Sequence, residues 1–196
     1  MSVDDGHSAQ AASGLHFMHH LKCSPPLPLL TGYVERFERA GLTVALAGSG
    51  LLAALGLTDT VHDWDVTTDD PYDQVVAALE GESFIAHASD DLHADRKLVL
   101  AGGVVELILG FAFHSARGLI RIPTIVSARV EGIPLASPEG WAIAYHLLGR
   151  AGKADALFDH LARHGADRAI VARLLGEPLP APLAARLAAL PTSSDT

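Results

Sequence analysis

Three acidic side chains in this sequence stand where charge is either repulsive or costly. Asp63 and Asp65 flank Trp64 in the run VHDWDVT, residues 61–67. Its alternation predicts a strand, and residues two apart on a strand project to the same side. Two carboxylates held so close repel one another unless a cation sits between them. A hard divalent ion, Mg²⁺ or Mn²⁺, is the natural partner, because it prefers oxygen ligands and keeps waters that a phosphate can replace. The third acid, Glu106, lies inside the apolar run VVELI, residues 104–108. A charge there is costly unless it is paired or metal-bound. If the two strands lie side by side, Asp63, Asp65 and Glu106 form a site able to hold two metals. Two ions roughly 4 Å apart stabilise both the attacking and the leaving oxygen of an in-line phosphoryl transfer.

The elements around these acids are legible from pattern and punctuation. Residues 42–47 (LTVALA) form a short apolar run that reads as a buried strand. Gly48-Ser49-Gly50 then turns the chain into a short helix over residues 51–57. Glycine permits close backbone approach to a phosphate, and Ser49 would place its hydroxyl and N–H at a helix start, where anions are favoured. Upstream, Leu30, Val34 and Phe37 recur at helical spacing until Gly41. Downstream, Pro71 opens a helix carrying Val75, Val76 and Leu79 on one face. Residues 96–101 and 104–109 form two strands, with Gly102-Gly103 as a two-residue hairpin turn. Residues 122–130 form a further strand. Ser137-Pro138-Glu139 is a helix start, with Ser as cap, Pro at the first position and an acid in the first turn. Helices are expected near 137–149, 153–164, 166–175 and 181–190. The fold class is therefore α/β (α+β): a mixed-sheet core over residues 29–134 and a helical C-terminal part over 135–190. Residues 1–28 read as a flexible tail ending in the helix-incompatible SPPLP.

A strand, a Gly-Ser turn, thirteen residues (50–62) and then Asp63-Trp64-Asp65, with an acid in a later strand, is an ordered combination. It resembles the DNA polymerase beta-type nucleotidyltransferase superfamily, particularly its small stand-alone bacterial members, including minimal, antibiotic-modifying and toxin-like types. The positions that carry the resemblance are Ala47, Gly48, Ser49, Asp63, Trp64, Asp65 and Glu106. It covers about residues 42–110 by motif and 137–160 more loosely, and it implies a nucleotidyltransferase-like core. It also implies metal-dependent transfer of a nucleoside monophosphate from an NTP, with ATP the expected nucleotide, and release of pyrophosphate. In that mechanism Asp63 and Asp65 hold both metals, Glu106 holds the catalytic one and helps deprotonate the acceptor hydroxyl, and Gly48 and Ser49 bind the nucleotide. The acceptor would be a small molecule, a protein or a tRNA end. The departures are a Glu where Asp is commoner, Tyr145 and His146 where the family often has a helical Lys, and a later run reading Arg150-Ala151-Gly152-Lys153-Ala154-Asp155.

Those departures leave a second reading open: a catalytically silent nucleotidyltransferase-like binding module, or one component of a toxin–antitoxin type pair with a small protein partner. Retention of three mutually repelling acids argues for the enzyme. Plainer readings exist for single residues: a solvated strand end for Asp63 and Asp65, a solvent-facing strand position for Glu106, and a helix cap for Ser49. His62 reads as incidental, His160 and His164 as a surface helix face, and His16, His19 and His20 as part of a solvated tail.

Composition narrows the classes further. Of 196 residues, 49% are hydrophobic and 19% charged, enough for a packed core. The net charge is −9 with 14 Lys and Arg and no basic run, which argues against a DNA-binding module. Cys23 is the single cysteine, so neither a disulfide within the chain nor a Cys-rich zinc site can form. No signal-peptide pattern and no stretch long enough to span a bilayer appear, so a cytoplasmic, membrane-free protein is expected. The motif GxxxxGK[ST] of P-loop NTPases and the GxSxG of serine hydrolases are both absent.

Overall fold

The computed structural model describes residues 21–93 and 95–193; the three tail histidines lie outside them. The chain expected to be a tail through Pro28 is tied down earlier than that. The Lys22 N–H donates to the Asp59 carbonyl at 2.8 Å, and the Val61 N–H donates to the Cys23 carbonyl at 2.8 Å. Helix α1 then runs Leu27–Arg39, with Pro28 in its first turn and Leu30, Val34 and Phe37 buried along one stripe. The site is built on β1 (Ala45–Leu46), α2 (Gly48–Ala54) and β2 (Trp64–Thr68). Next come α3 (Tyr72–Ala78), β3 (Phe84–His87), β4 (Arg96–Leu100) and β5 (Val105–Leu109). A hairpin of β6 (Ala112–Ser115) and β7 (Gly118–Arg121) precedes β8 (Val126–Val130) and β9 (Ile133–Ala136). The C-terminal part holds α4 (Pro138–Leu147), α5 (Ala151–His164), β10 (Ala166–Asp167), α6 (Arg168–Leu175), α7 (Ala181–Ala188) and β11 (Thr192–Ser193).

Seven strands form one mixed sheet in the order β3-β4-β5-β2-β1-β9-β8. β2 pairs parallel with β5, and β1 parallel with β9; the remaining neighbours are antiparallel. One face of the central strands is apolar, with Leu46, Trp64, Val66, Leu98, Val105 and Leu107 all fully buried, while Asp65, Lys97 and Glu106 alternate to the other face. No helix among the described residues is long and apolar enough to cross a membrane.

Several local expectations are corrected. The strand expected over 42–47 shortens to two residues, because helix α2 starts at Gly48 itself instead of after it. The two-residue hairpin turn is a four-residue loop: Leu100 pairs with Val105, and Ala101, Gly102 and Gly103 all adopt positive φ. The strand expected from residue 122 begins only at Val126, since Pro123 cannot donate to a ladder, and the chain before it folds back as the β6–β7 hairpin. β3 and β9 escape pattern reading because they are short, and β9 carries the sheet past Pro134 to Ala136.

Helix α4 begins as its sequence indicates. Pro138 occupies its first turn, and the Ser137 Oγ accepts from the Gly140 N–H at 3.2 Å. The first-turn acid, however, turns inward: Glu139 is only 3% exposed. One of its oxygens accepts from the Asp167 N–H at 2.8 Å, while Oε2 has no partner. Burial is the main cause pushing its pKa above the usual range, against the opposing Asp167 N–H. A carboxyl raised in the folded state costs stability as pH rises above its unfolded value. Glu139→Gln is therefore expected to be more stable than the wild type at about pH 8, by about 1 kcal/mol, with the gap closing toward about pH 4. Thermal melts across that range check it.

Candidate active site

Parallel pairing of β2 with β5 sets Asp65 directly opposite Glu106. Asp63 stands one residue before β2, in the bend that leads into it, so strand alternation alone does not place it. Each of the three carboxylates nevertheless offers an oxygen within 4.8 Å of the others. Among the described residues this is the one group of three acids, histidines or cysteines so arranged. His160 and His164 face each other with ring centroids 4.4 Å apart, but no third ligand joins them.

Bringing the acids together has an electrostatic cost. Burial first, then the charges of Asp63 and Glu106, push Asp65 up to about 7, against the pull of Lys97 and Arg150. On the adjacent strand β4, the Lys97 Nζ donates to the Glu106 Oε2 at 2.8 Å. Burial opposes the Lys97 charge, but its bond to Glu106 and the surrounding carboxylates outweigh that and raise its pKa. One lysine does not neutralise three acids, so the cluster keeps excess negative charge. Hard oxygen donors in excess negative charge suit Mg²⁺ or Mn²⁺.

Close approach of the backbone completes this wall. The Ala47 N–H donates to the Asp65 carbonyl at 2.8 Å and draws the turn against β2. A Cβ at Gly48 would meet the Asp65 Oδ2 at 1.8 Å, and Gly48 has φ +54. Only glycine fits there. Beside it Ser49, 8% exposed, lines the same cleft.

The cleft has a volume of about 930 Å³, and the three acids line it together with Ser49 and His62. Arg150 and Lys153, around the start of α5, face the acids across it. Both lie over the Tyr145 ring, the guanidinium 5.9 Å and the ammonium 5.2 Å from its centroid. Tyr145 is fully buried and its hydroxyl has no hydrogen-bond partner. Burial, and next the charge of Asp65, raise its pKa further above the phenol range.

The structure brings Ser49, Asp63, Asp65 and Glu106 to the lining of one cleft, with Gly48 packed against Asp65. Three cations of the cleft were not anticipated as parts of it. Lys97 sits in an ordinary-looking strand, and only its register opposite β5 puts it beside Glu106. Arg150 and Lys153 read in sequence as a displaced basic run. They reach the cleft because α4, packed under it by Trp141 and Tyr145, delivers the start of α5 to that spot. The signal available was the pairing of these cations with Tyr145, five and eight residues upstream on the preceding helix.

No family model and no curated protein matches the sequence. Among solved structures, the chain is similar to a crystal structure of a Thermotoga maritima protein described provisionally as a nucleotidyltransferase. The two share 23% identity over 74% of this chain and 99% of that one, with a TM-score of 0.51. The chain has a nucleotidyltransferase-like fold.

Proposed function

We propose that this protein transfers a nucleoside monophosphate from an NTP, ATP in the first instance, to an acceptor hydroxyl, with release of pyrophosphate. The observation that carries the reading is the convergence of Asp63, Asp65 and Glu106 in one cleft that Lys97, Arg150 and Lys153 also line. Asp63, Asp65 and Glu106 would hold Mg²⁺ or Mn²⁺. A bound ion supplies Lewis-acid neutralisation of charge on the reacting phosphate.

The chain's own residues do the rest. Gly48 leaves room for the carboxylate of Asp65, and Ser49 offers a hydroxyl to the cleft beside it. Arg150 and Lys153 attract the triphosphate and the departing pyrophosphate. The acceptor oxygen bonds to the α-phosphorus as the bond from that phosphorus to the bridging oxygen of the β-phosphate breaks. Its proton passes to the carboxylate of Glu106, which Lys97 holds in place. The cations also weaken the case for a silent module, since they bring positive charge for a triphosphate into the cleft.

The test is incubation with Mg²⁺ or Mn²⁺, each α-labelled NTP and a panel of hydroxylated acceptors. Label transfer that disappears in Asp63→Ala supports the reading; nucleotide binding with no transfer to any acceptor supports the silent module. Proton and metal compete for Asp65, so acid should weaken metal binding. Mn²⁺ affinity is expected to fall up to about tenfold per pH unit below about pH 7 and to level off above it. A flat profile between about pH 5 and 8 counts against Asp65 as a ligand.

A further inference from the structure

Helix α4 ends in a turn that puts an aromatic ring under two cations. Gly149 takes φ +68 just past the helix. Its N–H donates to the His146 carbonyl at 3.0 Å, and the next N–H, that of Arg150, reaches back to the Tyr145 carbonyl at 2.8 Å. This is the Schellman arrangement, in which the residue after a left-handed glycine packs on a side chain of the last helical turn. An apolar contact often fills that place. Here the Arg150 guanidinium lies over the Tyr145 ring, 5.9 Å from its centroid. Lys153, in the first turn of α5, reaches the same ring at 5.2 Å. The ring is fully buried, and Trp141, one turn earlier on α4, meets it edge to face at 5.4 Å.

Among the described residues neither cation has a carboxylate partner, whereas Arg36, Arg129 and Arg186 each have one. The difference matters to an incoming anion. A carboxylate would hold a cation by neutralising it, and a phosphate would have to displace it. The face of a ring attracts a cation without cancelling its charge. Both side chains are exposed and line the cleft that holds the three acids. Unrestrained, two long side chains lose rotamer freedom when they close on a ligand, at a cost of about tenfold in affinity. A ring that already restrains them removes much of that cost. The Tyr145 hydroxyl has no hydrogen-bond partner, so the arrangement draws on the ring and not on the oxygen.

We propose that Tyr145 is a positioning residue, whose ring face and helix-ending turn hold Arg150 and Lys153 as an unneutralised pair for a polyphosphate chain. Buried beneath them, Tyr145 acts through the two cations. The inference rests on the transfer reading given above, which needs the same cleft to take an NTP.

The probe is inorganic tripolyphosphate at saturating Mg²⁺, followed by calorimetry, with binding of Mn²⁺ alone measured in parallel. A trifluorinated phenylalanine in place of Tyr145 keeps the ring's size and strips its face of negative charge, so a packing role alone would leave binding intact. It is expected to weaken tripolyphosphate binding about tenfold, with Mn²⁺ affinity within about twofold of the wild type. Tyr145→Phe should restore the wild-type affinity, and Tyr145→Leu should behave as the fluorinated chain does. The fluorinated ring keeps the test decisive should Tyr145→Leu fail to fold. Wild-type affinity in the fluorinated chain, an equal loss in Tyr145→Phe, or no tripolyphosphate binding by the wild type overturns the inference. If the wild type binds tripolyphosphate and Mn²⁺ but the ring changes have no effect, the positioning role fails alone. If the wild type binds neither, the transfer reading fails with it.

Discussion

Replacing Asp65 by asparagine is expected to abolish nucleotidyl transfer while making the metal-free protein more stable. The two effects have one cause. Asp65 is pushed up to about 7 because burial and the charges of Asp63 and Glu106 all oppose its ionisation. In the folded protein it therefore holds a proton that the unfolded chain releases near its ordinary value of 3.8. Its penalty is absent below that ordinary value, grows with pH, and is complete above about 7. Removing the charge at about pH 8 should raise stability by about 2 kcal/mol, a figure discounted for coupling within the cluster. On the proposed mechanism the same change removes an oxygen that would hold the metal and with it several kcal/mol of charge neutralisation, so transfer should fall by about a thousandfold or more. Denaturant titration and a label-transfer assay on one preparation measure both. A variant that loses activity because it unfolds, or one that gains stability and keeps activity, is incompatible with Asp65 as a strained functional acid.

Gly48→Ala is expected to be the most damaging single methyl group that can be added to this chain. The new Cβ would lie 1.8 Å from Asp65 Oδ2, 2.6 Å from its Cγ and 2.8 Å from its Cβ. Asp65 is anchored in β2 by its pairing with β5, and its carbonyl accepts from Ala47, so it cannot step aside cheaply. The left-handed φ of +54 adds a conformational cost of about 1–2 kcal/mol for any residue with a Cβ. Overpacking adds about 1–3 kcal/mol. A loss of about 3 kcal/mol in stability and complete loss of Mn²⁺ binding should appear together. Gly56→Ala serves as the control. It has φ +71 with nothing within 4 Å of the added Cβ, so it should bear only the conformational cost and keep the site intact. Equal damage from the two changes would show that the contact with Asp65 is immaterial.

Gly48 and the acids are legible in the sequence because each breaks a local rule. Asp63 and Asp65 crowd like charges, and Glu106 interrupts an apolar strand. Gly48 sits at a strand-to-helix junction where other residues would serve local propensity better. Such conflicts persist only when tertiary structure compensates for them. The register that makes them one site, Asp65 opposite Glu106, was anticipated only as adjacency. A parallel pair joined through α3, β3 and β4 leaves no turn signature to count from. Lys97, Arg150 and Lys153 break no local rule, since surface-type cations are ordinary in any sequence; their place in the cleft comes from where two separate elements, β4 and the start of α5, deliver them. His160 and His164, at the spacing of a helical metal pair, illustrate the converse: spacing without a third converging ligand.

The most direct measurement is a Mn²⁺ titration read by electron paramagnetic resonance at about pH 8, where Asp65 is ionised. The wild-type protein should deplete the free-ion signal. Asp63→Asn, Asp65→Asn and Glu106→Gln should each weaken that depletion by about tenfold or more, with Lys97 and Arg150 still present. If the wild-type protein leaves the free Mn²⁺ signal untouched, or if the three variants bind as it does, these carboxylates do not form a metal site and the proposed transfer chemistry has no centre.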